Sequence, residues 1–301
     1  MHVTFRPIGG PEELPLFLRF SYDLDGEVAD DLTTGRRRES WLWIATRGDE
    51  VLARAGWWAR GGAAGPYLMD FLDFAPGESG TAETLVTKAL EAIVPAGEKP
   101  PEFVRYVAPD WGQDPAGVPS IVRVLENLGA HLLVERLRLE WRPGTAIQPS
   151  GGIEFRPFAS TEEAVALMTR AVAGTLDAHN RADLDRMTPR EVAAEHFHGE
   201  LERWPSPQSW WRVAMLPGGE PIGFVFPARN DYGPIIAYLA VLPEHRGHGY
   251  IDAILAEGTR VLAEQDAPRI RASTDVGNGP MAAAFARAGY VNYQKELNMT
   301  W

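Results

Sequence analysis

Cysteine is absent from all 301 residues, which excludes disulfides, thiolate metal ligands and a cysteine nucleophile. Apolar runs are short, and none approaches the ~20 residues that a membrane-spanning helix needs. The N-terminal "MHVTFRPIGG" lacks the basic and then apolar segments of a signal peptide. We therefore expect a cytoplasmic protein that makes no membrane contact.

Positive charge is also scarce: 29 basic side chains face 41 acidic ones, for a net charge of −12. Such a surface repels a phosphate backbone, so we expect no nucleic-acid binding. The acidity favours either plain solubility or a cationic substrate. Of the seven histidines, only His196 and His198 are closely spaced, and at i, i+2 on a helix they point apart. We expect no metal site.

Hydrophobic residues make up 45% of the chain, enough for a sizeable core, and the sequence contains an internal repeat. "FRPIGGPEEL" from Phe5 matches "FRPFASTEEA" from Phe155 at Phe, Arg, Pro and the Glu-Glu pair. Similar hairpin patterns begin at Ser40 and Ser209. Similar segments close the two copies, where Gly129 corresponds to Gly289. Three matches in the same order predict two copies of one α+β unit.

The segment "RPGTAIQPSGG", Arg142 to Gly152, has the composition of a linker. It predicts domains at residues 1–145 and 152–301. Each copy shows the order strand, helices, hairpin, apolar strand, helix, strand, helix, strand. The polar segment 174–203 is predicted to form helices and loops inserted before the second hairpin. Residues that face the substrate and vary with it could lie in this insertion.

A predicted strand passes directly into a predicted helix in "LAVLPEHRGHGYIDAILAEG", residues 239–258. A helix start exposes about four unpaired N–H donors and a partial positive charge. Gly247 and Gly249 let the backbone bend and approach a ligand closely, and Arg246 can add charge-assisted hydrogen bonds. The junction therefore predicts a pyrophosphate site.

Neither a P-loop nor a dinucleotide fingerprint fits this junction, because no Lys-Ser or Lys-Thr pair follows and the glycine spacing stops at Gly249. "VLPEHRGHGYI" instead resembles the [Q/R]-x-x-G-x-[G/A] loop of the GCN5-related N-acetyltransferases (GNATs). The following "RIRASTDVGNGPMAAAFARAGYVNYQKEL" is similar to that family's next strand and helix. The strict motif covers about residues 235–293.

The resemblance implies two tandem GNAT-like domains of the α+β (α/β) class. Each would be a mixed, mostly antiparallel twisted sheet with a splayed parallel strand pair and flanking helices. It further implies acetyl-CoA as co-substrate, no metal, and transfer of the acetyl group to the amine of a small molecule. The residues implied in cofactor binding are Leu239, Ala240, Val241, Arg246, Gly247, His248, Gly249, Tyr250, Asn278, Met281 and Phe285.

Two residues depart from the family pattern. Ile251 stands where the loop ends in glycine or alanine. Phe285 stands where many members have a tyrosine general acid, and a phenyl ring donates no proton. Asn278 should be an N-cap, with Pro280 in the first turn of its helix.

The attacking amine must be neutral, so a general base or a proton-carrying water is needed. Candidates are Asp177, His179 and Tyr238. The competing interpretations are a helix cap for Asp177 and His179, and core packing for Tyr238.

In the first copy the loop reads "PGESGTA", with Ser79 and Ala82 replacing the arginine and the second glycine, and with Glu78 adding a negative charge. This copy is expected to have lost cofactor binding. The functional alternatives are a non-catalytic acyl-CoA-binding module and a protein or peptide N-acetyltransferase. Either a monomer or a homodimer fits.

Overall fold

A computed structural model of the chain describes residues 2–114, 117–148 and 151–301, so Pro149 and Ser150 of the predicted linker lie outside it. The strands of the first half are β1 (Thr4–Pro7), β2 (Leu42–Arg47), β3 (Glu50–Trp58), β4 (Leu68–Phe74), β5 (Glu102–Val107) and β6 (His131–Trp141). Its helices are α1 (Leu14–Phe17), α2 (Val28–Thr33), α3 (Ser79–Ile93) and α4 (Val118–Asn127).

The second half repeats this order with one additional helix before its hairpin. Its strands are β7 (Glu154–Arg156), β8 (Arg212–Met215), β9 (Pro221–Asn230), β10 (Gly233–Val241), β11 (Ile270–Asp275) and β12 (Val291–Thr300). Its helices are α5 (Thr161–Ala171), α6 (Ala178–Leu184), α7 (Pro189–Gly199), α8 (Tyr250–Ala263) and α9 (Gly279–Arg287).

The repeated "FRP…EE" signature encodes a repeated local structure. Arg6 donates to both carboxylate oxygens of Glu13, at 2.5 and 2.8 Å, and Arg156 does the same to Glu163, at 2.5 and 2.9 Å. In each copy a backbone N–H four residues before the glutamate donates to the same carboxylate. The bonds from Arg6 and this N–H lower the pKa of Glu13 to about 2. The motif thus fixes the turn between the opening strand and the first helical segment.

In the first compact unit the strands lie in the order β1-β2-β3-β4-β5, antiparallel except for the parallel pair β4–β5. One face of the sheet packs against α3 and α4 around Trp57, Leu85 and Phe103. The other face packs against α1 and α2 around Phe17 and Phe71.

The second compact unit has the equivalent order β7-β8-β9-β10-β11, with β10 parallel to β11 and the other neighbours antiparallel. Helices α8 and α9 cover one face around Ile254 and Phe285, and α5 and α7 cover the other around Phe197 and Phe224. The predicted fold class is confirmed: each unit is a mixed, mostly antiparallel sheet with flanking helices and one parallel pair.

The domain boundaries predicted at 1–145 and 152–301 need a correction at the last strand of each half. The compact units are residues 1–134 with 295–301, and residues 135–294. Lys295–Met299 of β12 pairs antiparallel with β5 in the first unit, and Arg136–Trp141 of β6 pairs antiparallel with β11 in the second. Each exchanged strand covers the open edge of a parallel pair, whose N–H and C=O groups would otherwise lack partners.

Both units carry a β-bulge at the same place. In the first, Asp70 is the extra residue of β4 opposite β3, and in the second Ala237 is the extra residue of β10 opposite β9. A bulge bends its strand and disrupts the local ladder. Accordingly, the β10–β11 ladder contains the single register pair Ile235 with Arg271, and the ladder does not continue past the bulge.

Candidate active site

The turn between β10 and α8 contains two glycines in the left-handed region. Gly247 has φ 82° and Gly249 has φ 77°, a conformation that is costly for most other residues. A Cβ at either position would meet no atom within 4 Å. The glycines are therefore required for the backbone bend, and the space beside them is open to a ligand.

This bend leaves consecutive backbone N–H groups without acceptors. On either side the donors are used, because Arg246 N–H donates to the Pro243 carbonyl at 3.3 Å and Asp252 N–H to the Gly249 carbonyl at 3.2 Å. Across the described ranges, no acceptor binds the five N–H groups from Gly247 to Ile251. Alternating backbone conformations that expose successive N–H groups at a helix start form an anion-binding concavity. The arrangement suits a diphosphate.

The Arg246 side chain has a role other than the predicted phosphate contact. Its guanidinium donates to the carbonyl oxygens of Ala171 (2.7 Å), Ala173 (2.9 Å), Gly174 (3.2 Å) and Val241 (3.2 Å). These bonds satisfy carbonyls at the end of α5, which a helix leaves unpaired. Arg246 therefore ties the glycine turn to the segment that leads into α6.

The free edge of β10 faces the gap beside β11. Leu242 N–H donates to the carbonyl of Ile222, at the end of β9, at 2.9 Å. Because backbone groups alternate sides along an antiparallel strand, those of Val241 and Leu239 point away from β9. Ala240 points its backbone groups toward β9, so its predicted backbone contact with a cofactor is disfavoured. Leu239 presents its N–H and carbonyl to an added extended ligand, and Val241 presents its N–H, since the Val241 carbonyl accepts from Arg246.

The remaining residues predicted near the cofactor divide into two groups. His248 and Tyr250 lie at the turn with stacked rings, 5.6 Å apart. Asn278 is confirmed as the N-cap of α9, because its side chain accepts from Met281 N–H at 3.3 Å. Phe285 is fully buried in the core beneath α8 and α9, so it is corrected from a site residue to a core residue.

Of the candidate bases, Tyr238 packs on the α5–α7 face, whereas Asp177 and His179 lie at the start of α6. Asp177 is the N-cap of α6, with a carboxylate oxygen accepting from Asn180 N–H at 2.8 Å, which agrees with the cap interpretation. Burial raises the pKa of Tyr238, the Asp177 charge raises it further, and Arg246 and a hydrogen bond with Asn180 lower it. The net increase disfavours the phenolate form that a tyrosine base would need.

Asp275 is a functional candidate that belongs to no motif in the sequence. It ends β11, and its buried carboxylate accepts from Ala178 N–H at 2.7 Å and faces Arg136 Nε at 3.2 Å. Burial raises its pKa, as does neighbouring Asp177, while the Ala178 N–H, Arg136 and the nearby His179 lower it. Its position at the end of the predicted splayed strand is the feature of the sequence that could have identified it as a site residue. Asp275 fixes the start of α6 to β11.

The same edge of the first unit is filled by side chains. Leu72 lies two residues after the bulge of β4, as Leu239 lies two residues after the bulge of β10. The carbonyl of Leu72 accepts from Arg105 at 3.4 Å. Arg105 also bonds the Asp73 carboxylate at 2.7 Å and lies 3.8 Å from the Tyr22 ring centroid. The Tyr22 hydroxyl accepts from the N–H of Tyr106 on β5 at 2.9 Å. An extended ligand finds no open edge here.

The turn of the first unit also carries the wrong charge for an anion. Glu78 precedes α3, where it accepts from Thr81 Oγ1 at 2.5 Å and pairs with Arg47 at 2.9 Å. These bonds lower the pKa of Glu78 and keep it ionised. At the bulge, the buried Asp70 pairs with Arg37 at 2.5 Å where the second unit has Ala237. At this turn, therefore, the described side chains disfavour an anion.

Two classes of site receive no support from the described ranges. No cluster of three or more His, Cys, Asp or Glu side chains among these residues is arranged to hold a metal ion. Likewise, none of the helices within them has the length and hydropathy to cross a bilayer.

The sequence matches the acetyltransferase (GNAT) family over residues 178–290, which include β8 to β11 and the glycine turn. A search of curated proteins gave no match.

Several solved structures are similar in fold along nearly the whole chain. A GCN5-related N-acetyltransferase from Sphaerobacter thermophilus is 17% identical, with a TM-score of 0.62. The alignment covers 99% of this chain and 95% of that protein. A tandem GNAT protein from the clavulanic acid biosynthesis pathway is 16% identical with coverages of 100% and 98% and a TM-score of 0.51. A GCN5-related N-acetyltransferase from Kribbella flavida is 16% identical with coverages of 91% and 94% and a TM-score of 0.53. At identities this low, the comparisons show similarity of fold alone.

Proposed function

We propose that the protein is an N-acetyltransferase, on the premise that residues 178–290 match the acetyltransferase (GNAT) family. Its second unit would transfer an acetyl group from acetyl-CoA to the amine of a small molecule by direct attack. The first unit, whose turn and strand edge are occupied, would bind no coenzyme.

The observation that carries the proposal is the row of five free N–H groups from Gly247 to Ile251. They suit the diphosphate of coenzyme A, while the free edge at Leu239 and Val241 suits the amides of its pantetheine arm. The two features are continuous along the chain, which is what a long ligand with a charged end and an amide-bearing arm requires. The residues present therefore fit acetyl-CoA.

Acetyl-CoA, as substrate, supplies an activated thioester. The N–H of Leu239, on the free edge of β10, is the proposed donor to the oxygen that becomes negatively charged during attack, an effect worth roughly 3–4 kcal/mol. An alkylamine with a pKa near ~10.4 must lose a proton before it attacks. Asp177 and His179 are the proposed base, directly or through water. Asp275 is too buried to reach a substrate and is proposed to position them.

A small acceptor is favoured over a protein by the way α6 is held. Asp275 on β11 bonds the first N–H of α6, and Arg246, after β10, bonds the carbonyls of Ala173 and Gly174 in the segment that leads into α6. The helix is therefore fixed across the ends of β10 and β11, where an open groove for a peptide strand would need to run. Amines small enough to enter beside α6 are the proposed acceptors.

The test has two parts. Calorimetry should detect CoA binding by the intact chain, and CoA release from acetyl-CoA should accelerate with at least one member of a panel of small primary amines. Binding without turnover on any amine, including a peptide panel, would favour the non-catalytic module. Turnover on peptides but not on small amines would favour the protein acetyltransferase, and absence of CoA binding would refute the proposal.

A further inference from the structure

Two arginines of β11 lie on the face of the second sheet that α6 approaches. Ile270 and Ala272 pack into the core beneath α8 and α9. Since side chains alternate along a strand, Arg269 and Arg271 project from the opposite face. Asp275 lies on that same face, where its carboxylate bonds the first N–H of α6. The two arginines therefore share a face with α6, beside which the acceptor amine is proposed to enter.

The arginines form a cluster around one buried acid of β6. Glu140 is 9% exposed and lies opposite Arg271 in the β6–β11 ladder. Its carboxylate accepts from Arg142 Nε at 2.7 Å and from Arg271 Nε at 3.4 Å, and Arg269 Nη1 lies 3.9 Å away. Three guanidinium groups thus share one carboxylate. The cluster keeps uncompensated positive charge in a chain whose net charge is −12.

Arg271 has hydrogen-bonding capacity that this cluster leaves unused. Apart from the long bond to Glu140, its guanidinium donates to no acceptor within the described ranges. It lies 5.0 Å from the ring centroid of Tyr293, which packs against it, and its side chain is 28% exposed. A planar guanidinium with both terminal nitrogens available can bind a carboxylate or a phosphate through two parallel hydrogen bonds.

The place of this guanidinium limits the length of a suitable acceptor. Arg271 reaches from β11 over β6 toward Tyr293 of β12, and β10 lies on the other side of β11. Neighbouring strands are about 4.8 Å apart, so the guanidinium lies roughly 10 Å from β10. An α-amino acid, with a single carbon between its amine and its carboxylate, is too short for this span. An acceptor that reaches both places needs several bonds between its nitrogen and its anionic group.

We propose that the acceptor amine carries an anionic group, a carboxylate or a phosphate, several bonds away from its nitrogen, and that Arg271 binds this group with support from Arg269. The inference rests on the proposed function and names the class of its acceptor. Arg271 acts as a specificity-determining residue, because it contacts the acceptor far from the reacting nitrogen. A diamine is disfavoured, since its second ammonium would meet the positive cluster.

The test measures acceptor binding in a complex that cannot react. CoA has no acetyl group to transfer, so calorimetry at saturating CoA reports the affinity of an acceptor without turnover. The probes are ε-aminocaproate, the amino alcohol of the same length, and the phosphate monoester of that alcohol. We expect at least one anionic probe to bind about tenfold more tightly than the alcohol, and the tighter one identifies the anion. Glycine should show no such preference over ethanolamine.

Variants then assign the preference to Arg271. Arg271→Gln should bring the ratio of affinities for the anionic probe and the alcohol close to one. Arg271→Lys, which keeps the charge without the paired N–H groups, should retain part of the ratio. Arg287→Gln is the matched control, because Arg287 is an exposed arginine that pairs with Asp252 and lies on α9, on the opposite face of the sheet. This control should keep the full ratio.

The outcomes separate the acceptor class from the proposed function. Equal affinities for the alcohol and the anionic probes, binding of none of them, or an unchanged ratio in Arg271→Gln overturns the anionic acceptor. CoA binding and turnover of another amine would leave the acetyltransferase proposal standing in each of these cases. An equal loss in Arg287→Gln shows a general effect of charge and overturns the role of Arg271. Failure of the unmodified protein to bind CoA overturns the proposed function itself.

Discussion

Replacing Gly249 by aspartate or by asparagine separates the charge of the turn from its shape. At φ 77° most residues are strained, but asparagine and aspartate visit the left-handed region more readily than other non-glycine residues. A Cβ there meets no atom within 4 Å, so either side chain has room. The two variants are nearly identical in size and differ by one negative charge.

The magnitude follows from Coulomb's law at the surface. Gly249 is exposed, so the dielectric of water applies, and two unit charges ~4 Å apart interact by about 1 kcal/mol. A diphosphate carries two such charges, giving about 2 kcal/mol, or about a 30-fold weaker affinity for Gly249→Asp than for Gly249→Asn. The gap should shrink in 1 M salt, where screening acts within about 3 Å.

Calorimetric titration with CoA measures both variants. Gly219→Asp is the matched control, because Gly219 also has a positive φ, of 85°, and open space around it, but lies in the turn between β8 and β9. We expect the control to bind CoA as the unmodified protein does. Equal affinities for Gly249→Asp and Gly249→Asn, or an equal loss in the control, would show that no phosphate lies on this turn.

Three further changes test other parts of the structure. Cutting the chain at the linker removes residues 295–301 from the first unit and residues 135–141 from the second. Each fragment then lacks the strand that covers its parallel pair, so neither alone should show a cooperative unfolding transition in calorimetry. A mixture of the two fragments should show one. Glu13→Gln should flatten the pH dependence of the thermal unfolding midpoint between pH 4.5 and pH 2. The Glu13 carboxyl, whose pKa is lowered to about 2, stabilises the fold above its unfolded pKa of 4.5, and this contribution is lost as the pH falls. An unchanged acid profile in the variant would contradict the ion pair with Arg6. Arg246→Gln, which loses most bonds to the α5 carbonyls, should cost about 2 kcal/mol and lower Tm by about 4–8 °C, and an unchanged Tm would deny the anchoring role.

The glycine turn could be derived from the sequence because its determinants are local. Gly247 and Gly249 stand at a strand end and a helix start, and their positive φ values follow from a bend that few other residues adopt. The hairpins and the "FRP…EE" turns are equally local. The equivalent bulges at Asp70 and Ala237 could not be derived from the sequence, since a single extra residue leaves no pattern of its own.

Partners distant in sequence escaped prediction. Arg246 pointed to a phosphate by its neighbours in the chain, yet its guanidinium binds carbonyls near residue 171, which only folding brings into reach. Asp275 and Ala178 meet in the same way. The edge of β4 in the first unit is occupied by Arg105 and Tyr22. Nothing in the sequence around these two residues indicates that their side chains fill the place of a ligand.

By itself, the sequence determined the two repeated units, their order of strands and helices, and the turn that exposes free N–H groups, because periodicity, glycine conformation and capping act over a few residues. The tertiary structure decided the exchange of final strands, the anchoring by Arg246, and the meeting of Asp275 with Ala178. Each of these depends on which open edge or unpaired polar group lies nearest after the chain has packed, and the alternating patterns of β6 and β12 satisfy either sheet equally well.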